Sequence, residues 1–413
     1  METNKLKIGL FGFGVVGQGF YQLAKLRAST TLEIIQIAVK NPTKVRSISI
    51  NEFTFNYLEL LHHPDLQLVV EAIDDEIAAY EIVKSALSRG ISVVSANKKL
   101  LANHLQEFIE ISKVTGAKLL YEAAAAAAIP IIGLLNSFFN SEPVLRIEGI
   151  VNGTTNYILT KMQQEQFSYS EALKEAQALG FAESNPASDV DGHDASYKLT
   201  LLSAHAFGKI FTPNKILRYG IRFITNADVQ DVIQHQKVIK LLAIALETQE
   251  GLVAIVLPTI LDATHKLASI SAEFNAINLV VEDSGTHFLV GKGAGSMPTG
   301  ASILKDIHRL DKNEYQYSKV NNSPFEINPK NYQIEIIISY VKSHNLEGFK
   351  EINKRKLENG RIQSKGWISL SELKQQIQQL ESQEIGVFST GEFRKSAHSE
   401  NAIAQNQHAT TLD

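Results

Sequence analysis

The chain has no cysteine among its 413 residues. That excludes disulfides, thiolate zinc sites and iron–sulfur clusters. It also excludes oxidation of an aldehyde to an acyl derivative through a cysteine nucleophile. The chain lacks any run of about twenty apolar residues, so no membrane span is expected. Strong charge of either sign is missing too. Forty lysines and arginines face 44 aspartates and glutamates, and a net charge of −4 gives nucleic acid or an anionic membrane no reason to bind. The opening Met1–Lys7 turns at once into a strand pattern, which leaves no room for a signal peptide, so a cytoplasmic protein is expected. What remains is ordinary globular composition, 44% hydrophobic and 20% charged, at a length that suits two or three domains.

The first motif follows a short apolar run at residues 7–10. Gly12, Gly14 and Gly17 form G-x-G-x-x-G, with Phe13, Val15 and Val16 between them, ahead of a helix bearing Phe20, Leu23 and Ala24. Such a loop makes a tight turn, lets backbone approach a pyrophosphate and rests the phosphates on a helix N-terminus. The next strand, residues 33–39, lacks the acidic residue that holds a ribose 2′-hydroxyl in NAD-binding folds. Instead Lys40, Lys44 and Arg46 follow it, which favours NADP with NAD possible. Further strands at 66–73 and 91–95 end in Asp74-Asp75-Glu76 and in Ser95-Ala96-Asn97-Lys98-Lys99. Ligands bind beyond the carboxyl ends of such strands, which places Lys98 at the cofactor crevice. Glu122 and six alanines, 123–128, then precede Ile129-Pro130. Helix propensity there conflicts with a position between a strand and a proline.

A strand-like stretch from residue 147 leads to Asn152-Gly153-Thr154-Thr155-Asn156 and a helix, whose first amide N–H groups suit a carboxylate or carbonyl oxygen. The next helix is expected over 171–179 with Ser170 as N-cap. The densest chemistry lies in residues 181–198, F-A-E-S-N-P-A-S-D-V-D-G-H-D-A-S-Y-K, which hold Glu183, Asp189, Asp191, Asp194 and Lys198. Asn185-Pro186 marks a turn, and a helix follows with Leu199, Leu202 and Ala206 on its apolar face. Asp194 and Lys198, at i and i+4, share one face of it. Taken alone, that spacing reads as a solvated surface ion pair. A second glycine cluster, Gly291 to Gly295, precedes a helix at 302–310, and residues 311–330 read as a linker. His62, His63, His193 and His205 lack chelating spacing and read as structural histidines.

Several of these segments resemble homoserine dehydrogenases. They are G-F-G-V-V-G at 12–17, S-A-N-K-K at 95–99, Y-E-A with I-P-I-I at 121–132 and G-I-V-N-G-T-T-N-Y-I-L-T-K-M at 149–162. After them come G-F-A-E-S-N-P-A-S-D-V-D-G-H-D-A-S-Y-K-L at 180–199, Y-G-I-R-F-I-T at 219–225 and G-K-G-A-G-S-M-P-T at 291–299. They follow the family's order over residues 5–310. The resemblance implies reversible NAD(P)-dependent interconversion of aspartate 4-semialdehyde and homoserine, in the aspartate pathway to threonine and methionine. It implies Lys198 as general acid/base, Asp194 beside it, and Lys98 between nicotinamide and substrate. Gly153, Thr154, Glu183 and Asp189 would surround the amino-acid end. Gly12 to Gly17, Lys40, Ser95, Lys98 and Gly295 would hold the cofactor. Backbone carbonyls of Glu122, Ala125, Ala127 and Ile129 would hold a monovalent cation, usually sodium, and the protein would be a homodimer. Departures are the alanine run, where relatives carry glycine or varied small residues, and Phe181 in place of a tyrosine. The last ninety residues do not resemble the regulatory ACT module of many bacterial relatives.

The fold expected is α/β: a Rossmann-type doubly wound parallel sheet over residues 1–135, completed by a return helix near 295–311. A second α/β substrate and dimerisation domain spans 136–294. A small C-terminal α/β appendage of unassigned role spans 325–394, and 395–413 forms a polar, disordered tail. Two other readings compete with the enzyme assignment: another Rossmann amino-acid dehydrogenase, or a nucleotide-binding homologue with impaired catalysis, which only the alanine run favours.

Overall fold

The apolar run after the N-terminus becomes β1 (Leu6–Phe11), buried along its last four residues. It feeds α1 (Val15–Arg27), which buries Phe20, Leu23 and Ala24. The alternation continues through β2 (Leu32–Ala38), β3 (Phe53–Thr54), α2 (Tyr57–Leu61), β4 (Leu68–Glu71), α3 (Glu76–Ser88), β5 (Ser92–Ser95), α4 (Lys98–Thr115) and β6 (Leu119–Leu120). In this computed structural model, which describes residues 5–310, 319–320, 324–342, 344, 346–357 and 359–396, these strands form one parallel sheet. Their order, β3-β2-β1-β4-β5-β6, reverses between β1 and β4, which opens a crevice at the carboxyl ends of those two strands. β4 is buried throughout, as expected of a strand covered on both faces.

Two short helices, α5 (Glu122–Ala126) and α6 (Ile131–Ser137), lead into the second domain. It contains β7 (Val144–Ile150), α7 (Gly153–Gln164), α8 (Tyr169–Ala178), α9 (Ala187–Val190), α10 (His193–Ala206), β8 (Leu217–Arg218), α11 (Asn226–Gln234), β9 (Lys237–Thr248), β10 (Gly251–Asp262), β11 (Phe274–Val281) and β12 (Gly285–Lys292). The remaining elements are α12 (Ser296–Arg309), β13 (Glu326–Ile327), β14 (Tyr332–Tyr340), β15 (Lys350–Lys356), β16 (Ile362–Ser369), α13 (Leu370–Ser382) and β17 (Gly386–Lys395). A mixed sheet runs β12-β11-β7-β9-β10-β17-β14-β16-β15, with β8 and β13 beside β10.

Two local expectations change, and one further segment takes a definite form. The helix after α7 starts earlier than expected: Ser168, not Ser170, caps it, and Glu171 reaches back to the Ser168 N–H in a capping box. Residues 237–248 form a full strand in register with β10 from Lys237↔Asp262 to Thr248↔Gly251. The C-terminal segment read as a separate appendage continues the second sheet. β17 pairs with β10 at Ser389↔Thr259, and Ile334, Ile368 and Val387 share a core with Ile150, Leu242 and Ile255. Residues 397–413 of the expected tail, and 311–318 and 321–323 of the linker, lie outside the described residues.

The return helix α12 packs on α1 by backbone contact. A Cβ added at Gly19 would lie 2.1 Å from Ser296 O, and one at Gly300 would lie 2.5 Å from Phe20 N. Ser296 Oγ also donates to Val15 O at 2.8 Å. Only the absence of side chains lets the helices approach so closely. Gly300→Ala must therefore separate them, at a cost of about 1–3 kcal/mol despite alanine's better helix propensity. Thermal unfolding reads this as a lower Tm; an unchanged Tm would show that the glycine pair does not set the crossing.

Candidate active site

The nucleotide side of the crevice is built from the loop between β1 and α1. Gly12 has φ 98°, and a Cβ there would lie 2.2 Å from Ala72 O; one at Gly17 would lie 2.2 Å from Gly12 O. Gly14 differs, because a Cβ there meets no heavy atom within 4 Å. Two glycines close the turn, and the middle one faces open space at the N-terminus of α1. A cavity of about 520 Å³ begins there, lined by Gly12, Phe13, Gly14, Val39, Lys40, Arg46, Ile73 and Asp75. Val15 is exposed and Val16 half-buried at the start of α1, while Gly295 (φ 119°) caps α12. Lys40 is exposed and reaches Asp75 Oδ2 at 3.4 Å. Arg46 is anchored more firmly: it lies 5.0 Å over the Phe53 ring and donates to Lys44 O at 2.8 Å and Asn41 O at 2.6 Å.

The end of β5 is tied to that of β4. Ser95 is fully buried, and its hydroxyl donates to Glu71 Oε2 and accepts from the Asn97 N–H at 3.1 Å. Ser95 thus commits its side chain to the scaffold. Glu71 also accepts from the Ile73 N–H at 2.7 Å, and burial pushes its carboxyl up to about 7. Asn97 caps α4 by accepting from the Leu100 N–H and donates to Ile73 O at 2.9 Å. This network sets the first residue of α4, Lys98.

From the second domain comes α10. Gly192 precedes it in a left-handed turn (φ 79°), and every residue from Asp194 to Ala206 except Tyr197 is buried. The helix is central rather than superficial, so its Asp194–Lys198 pair is not a solvated one. Lys198 Nζ lies 2.9 Å from Asp194 Oδ2, and Lys98 Nζ lies 2.8 Å from Asp194 Oδ1. Lys198 also donates to Val151 O at 2.6 Å. One carboxylate therefore takes a half-exposed lysine from the first domain and a buried lysine from the second. Burial alone would raise the Asp194 carboxyl, but the two ammonium groups overcome it and hold the acid well below the usual carboxylate range. The Asp194 charge raises Lys98 above the ordinary lysine value. Burial, aided by the charge on Lys98, lowers Lys198 below it.

Asp189 is brought to the same cluster, where Asn152 Nδ2 donates to Asp189 Oδ1 at 2.7 Å and to Asp194 Oδ2 at 2.8 Å. Burial and the Asp194 charge raise its carboxyl. Gly153 and Thr154 open α7 next to Asn152, and the Thr154 hydroxyl donates to Phe181 O at 2.7 Å. Gly153 permits a close approach, since a Cβ there would lie 2.6 Å from Glu273 O. Glu183 is exposed and contributes its backbone carbonyl, to Gln177 Nε2 at 3.0 Å, so no contact joins its carboxylate to the others among the described residues. Asp191, between the two site acids, faces elsewhere and pairs with Arg222. Sequence reasoning does not single out Asn152 as a site residue. Its place at an N-cap is the available signal, but the bridge between two acids depends on tertiary packing.

The alanine run folds as the five-residue helix α5 and then turns at Ala127, whose φ of 44° and ψ of −104° are unusual for a residue with a Cβ. Surrounding bonds hold that turn. Ser302 Oγ donates to Ala127 O at 2.5 Å, and the Ala128 N–H donates to Lys292 O at 3.1 Å. Glu122 lies with Ala125, Ala127 and Ile129 in the same buried segment, and its carboxylate accepts from the Ile132 and Gly133 N–H groups at 2.8 and 2.7 Å, capping α6. Nearby, His205 is buried between Tyr121 OH (2.7 Å) and Asn136 Oδ1 (2.9 Å); burial pushes it down to about 3, which fits its reading as a structural histidine.

Comparison with known proteins covers both domains. Residues 12–122 match the family model for the homoserine dehydrogenase NAD-binding domain, and residues 130–308 match that for homoserine dehydrogenase. The homoserine dehydrogenase of Lactococcus lactis subsp. lactis (strain IL1403) is 36% identical over 320 residues, 75% of each chain. That of Corynebacterium glutamicum is 37% identical over 320 residues, 74% of this chain and 72% of the other. Among solved structures, the homoserine dehydrogenase of Thiobacillus denitrificans superposes with a TM-score of 0.81 at 25% identity, covering 95% of this chain and 98% of that one. A hyperthermophilic archaeal homoserine dehydrogenase in complex with NADPH gives a TM-score of 0.65 at 27% identity, covering 75% and 98%.

Removing the shared carboxylate leaves two facing cations, one of them buried, without their counter-charge. Asp194→Ala should cost about 3–5 kcal/mol, read as a lower denaturant midpoint. Because the folded carboxyl titrates below its unfolded value, the stability it contributes is present above the ordinary carboxylate range and is lost as pH falls through the folded value. The difference from the parent protein should therefore shrink on acidification below about pH 4. A difference unchanged between pH 7 and pH 3 would contradict this electrostatic account.

Proposed function

This chain belongs to the homoserine dehydrogenase family and is an oxidoreductase of that activity; on that premise we propose how its residues divide the work. Lys198 is the proton donor and acceptor, Asp194 orients it, and Lys98 holds positive charge beside the reacting oxygen. The observation that carries this reading is the single carboxylate shared by the two lysines at 2.8 and 2.9 Å. Of three N–H bonds on Lys198, Val151 O and Asp194 take two, which leaves one for a substrate oxygen. The intact pair also weighs against the reading of a homologue with impaired catalysis.

When bound, the reduced nicotinamide supplies a hydride to the aldehyde carbon of aspartate 4-semialdehyde. Negative charge then grows on the carbonyl oxygen, and Lys98 and Lys198 offset it. The Lys198 ammonium protonates that oxygen to give homoserine, and its neutral amine regains a proton from solvent. In the reverse direction the neutral amine takes the hydroxyl proton. A free lysine exchanges protons poorly near neutrality, so burial that lowers Lys198 serves both directions. Asp189, with Glu183 at the exposed rim, faces the substrate ammonium, and the first amides of α7 at Gly153 and Thr154 face its carboxylate.

The glycine loop and the open space at Gly14 fit a pyrophosphate, and the adjoining cavity fits the adenosine half of a nicotinamide dinucleotide. NADP is the preferred form in this reading, because Lys40 and Arg46 line that cavity where a 2′-phosphate would lie. A sodium-like cation suits the segment from Glu122 to Ile129. Its donors are hard, neutral carbonyl oxygens on a sharp turn, and the carbonyls of Ala127 and Ile129 each retain a lone pair beyond the hydrogen bond they accept. A cytoplasmic homodimer in amino-acid biosynthesis, as in the resemblance, completes the proposal.

Lys198→Ala should lower turnover by about 10²–10⁴ while leaving nucleotide affinity intact, measured by steady-state rates and fluorescence titration with NADPH. In the parent enzyme the reductive rate requires the ammonium form, so its alkaline limb should fall below the ordinary lysine range. Turnover near that of the parent would sink the role given to Lys198. For the cofactor, Arg46→Glu and Lys40→Glu should each lower kcat/KM for NADPH by about tenfold, the size of one charge-assisted contact, and spare NADH. A preference unmoved by both changes would remove the basis for NADP.

A further inference from the structure

One buried amide joins the two acids of the proposed site. Asn152 Nδ2 donates to Asp189 Oδ1 at 2.7 Å and to Asp194 Oδ2 at 2.8 Å. Its orientation is set from the other side, where Asn152 Oδ1 accepts from the Thr155 N–H at 2.8 Å and the Thr155 hydroxyl at 3.0 Å. Rotating the amide by half a turn would face its oxygen to two carboxylates and its N–H groups to a backbone N–H. Only one orientation satisfies both sides.

The two acids are not equivalent. Asp194 has an ammonium group on each oxygen, whereas Asp189 has, among the described residues, the Asn152 N–H as its side-chain partner. A buried and a half-buried carboxylate against one amide resist being ionised together. The groups that act on Asp189 are Asp194 and Lys198 from α10, Lys98 from α4, and Asn152. Burial and Asp194 favour a proton on it; the two lysines and the amide oppose that. Both lysines are engaged by Asp194, so the amide is the contact that belongs to Asp189 itself.

We propose that Asn152 is a positioning residue that keeps Asp189 anionic and apart from Asp194, leaving Asp189 free as the counter-charge for the substrate's ammonium group. This rests on the reading of Asp189 as the ammonium site. Without the amide, Asp189 takes a proton at higher pH and its attraction for the ammonium is lost. Lys198 and the nucleotide crevice keep their own contacts, and Asp194 loses one hydrogen bond but keeps an ammonium group on each oxygen, so the loss falls on the amino-acid end.

The test separates this role from helix capping, because Asn152 also caps α7. Asn152→Ser retains a capping oxygen and removes the amide donor. It should raise the homoserine KM by about tenfold, the size of one lost charge-assisted hydrogen bond, with the nucleotide KM unchanged. The acid limb of kcat/KM for homoserine should move to higher pH. Asp189→Asn should raise the same KM and abolish that limb. If Asp189→Asn raises the KM while Asn152→Ser leaves KM and limb as in the parent, the role of Asn152 is overturned and the ammonium site stands. If Asp189→Asn leaves the homoserine KM unchanged, the ammonium-site reading itself fails. If Asn152→Ser raises both KM values together and lowers Tm, Asn152 is structural and the proposal is likewise overturned.

Discussion

A carboxylate held between two lysines is the constraint on which the rest of the site depends. Asp194 is almost wholly buried, and an isolated charge at that depth would be expelled or neutralised. Lys98 and Lys198 reverse that balance and keep it ionised. In return it fixes two cations a short distance apart, which would otherwise repel each other. The three side chains define one another's charge state and place. A catalyst that must offer a proton to a newly formed alkoxide, then take one back, benefits from an amine set between opposing influences of burial and charge.

The triad also joins two domains. Lys98 starts α4 of the parallel sheet, and Asp194 and Lys198 belong to α10 of the second domain. The cofactor crevice lies at the carboxyl ends of β1 and β4, so an ion pair across the domain boundary brings the proposed proton donor to the edge of that crevice. Other features hold the same boundary. The bonds among Glu71, Ser95 and Asn97 set the start of α4, and the Gly19–Gly300 contact brings the chain back to α1 after the second domain. Asn152 adds a tie from the β7–α7 junction to both site acids.

Much of this is legible in the order of the residues. G-x-G-x-x-G between a strand and a helix specifies backbone geometry, because only glycine tolerates the contacts at Gly12 and Gly17. The spacing of Asp194 and Lys198 puts them on one helical face. Spacing is blind to depth, however. The same i, i+4 pair serves on a surface or in a core, and here packing around α10 buries it. Nor does spacing report on Lys98, which comes from another domain, or on Asn152, whose N-cap role is visible locally while its two acid partners are not. Glu183 shows a different limit: the motif names it, but it lies exposed and its carboxylate makes no contact with the cluster among the described residues, so packing around the site says nothing of it. In the alanine run propensity and position conflict, and the structure contains both, a helix for five residues and then a strained turn at Ala127.

By itself, then, the sequence determined the period of most elements, the glycine turns and the presence of two acids and a lysine on neighbouring turns. These follow from local sterics and from hydrogen bonds between residues close in the chain. Tertiary structure alone decided that Asp194 would be shared by lysines from two domains, that Lys198 would be buried enough to lose part of its basicity, and that the last strands would extend the second sheet. Those outcomes depend on which surfaces exclude water when distant segments meet, and desolvation is a property of the assembled fold rather than of any stretch within it.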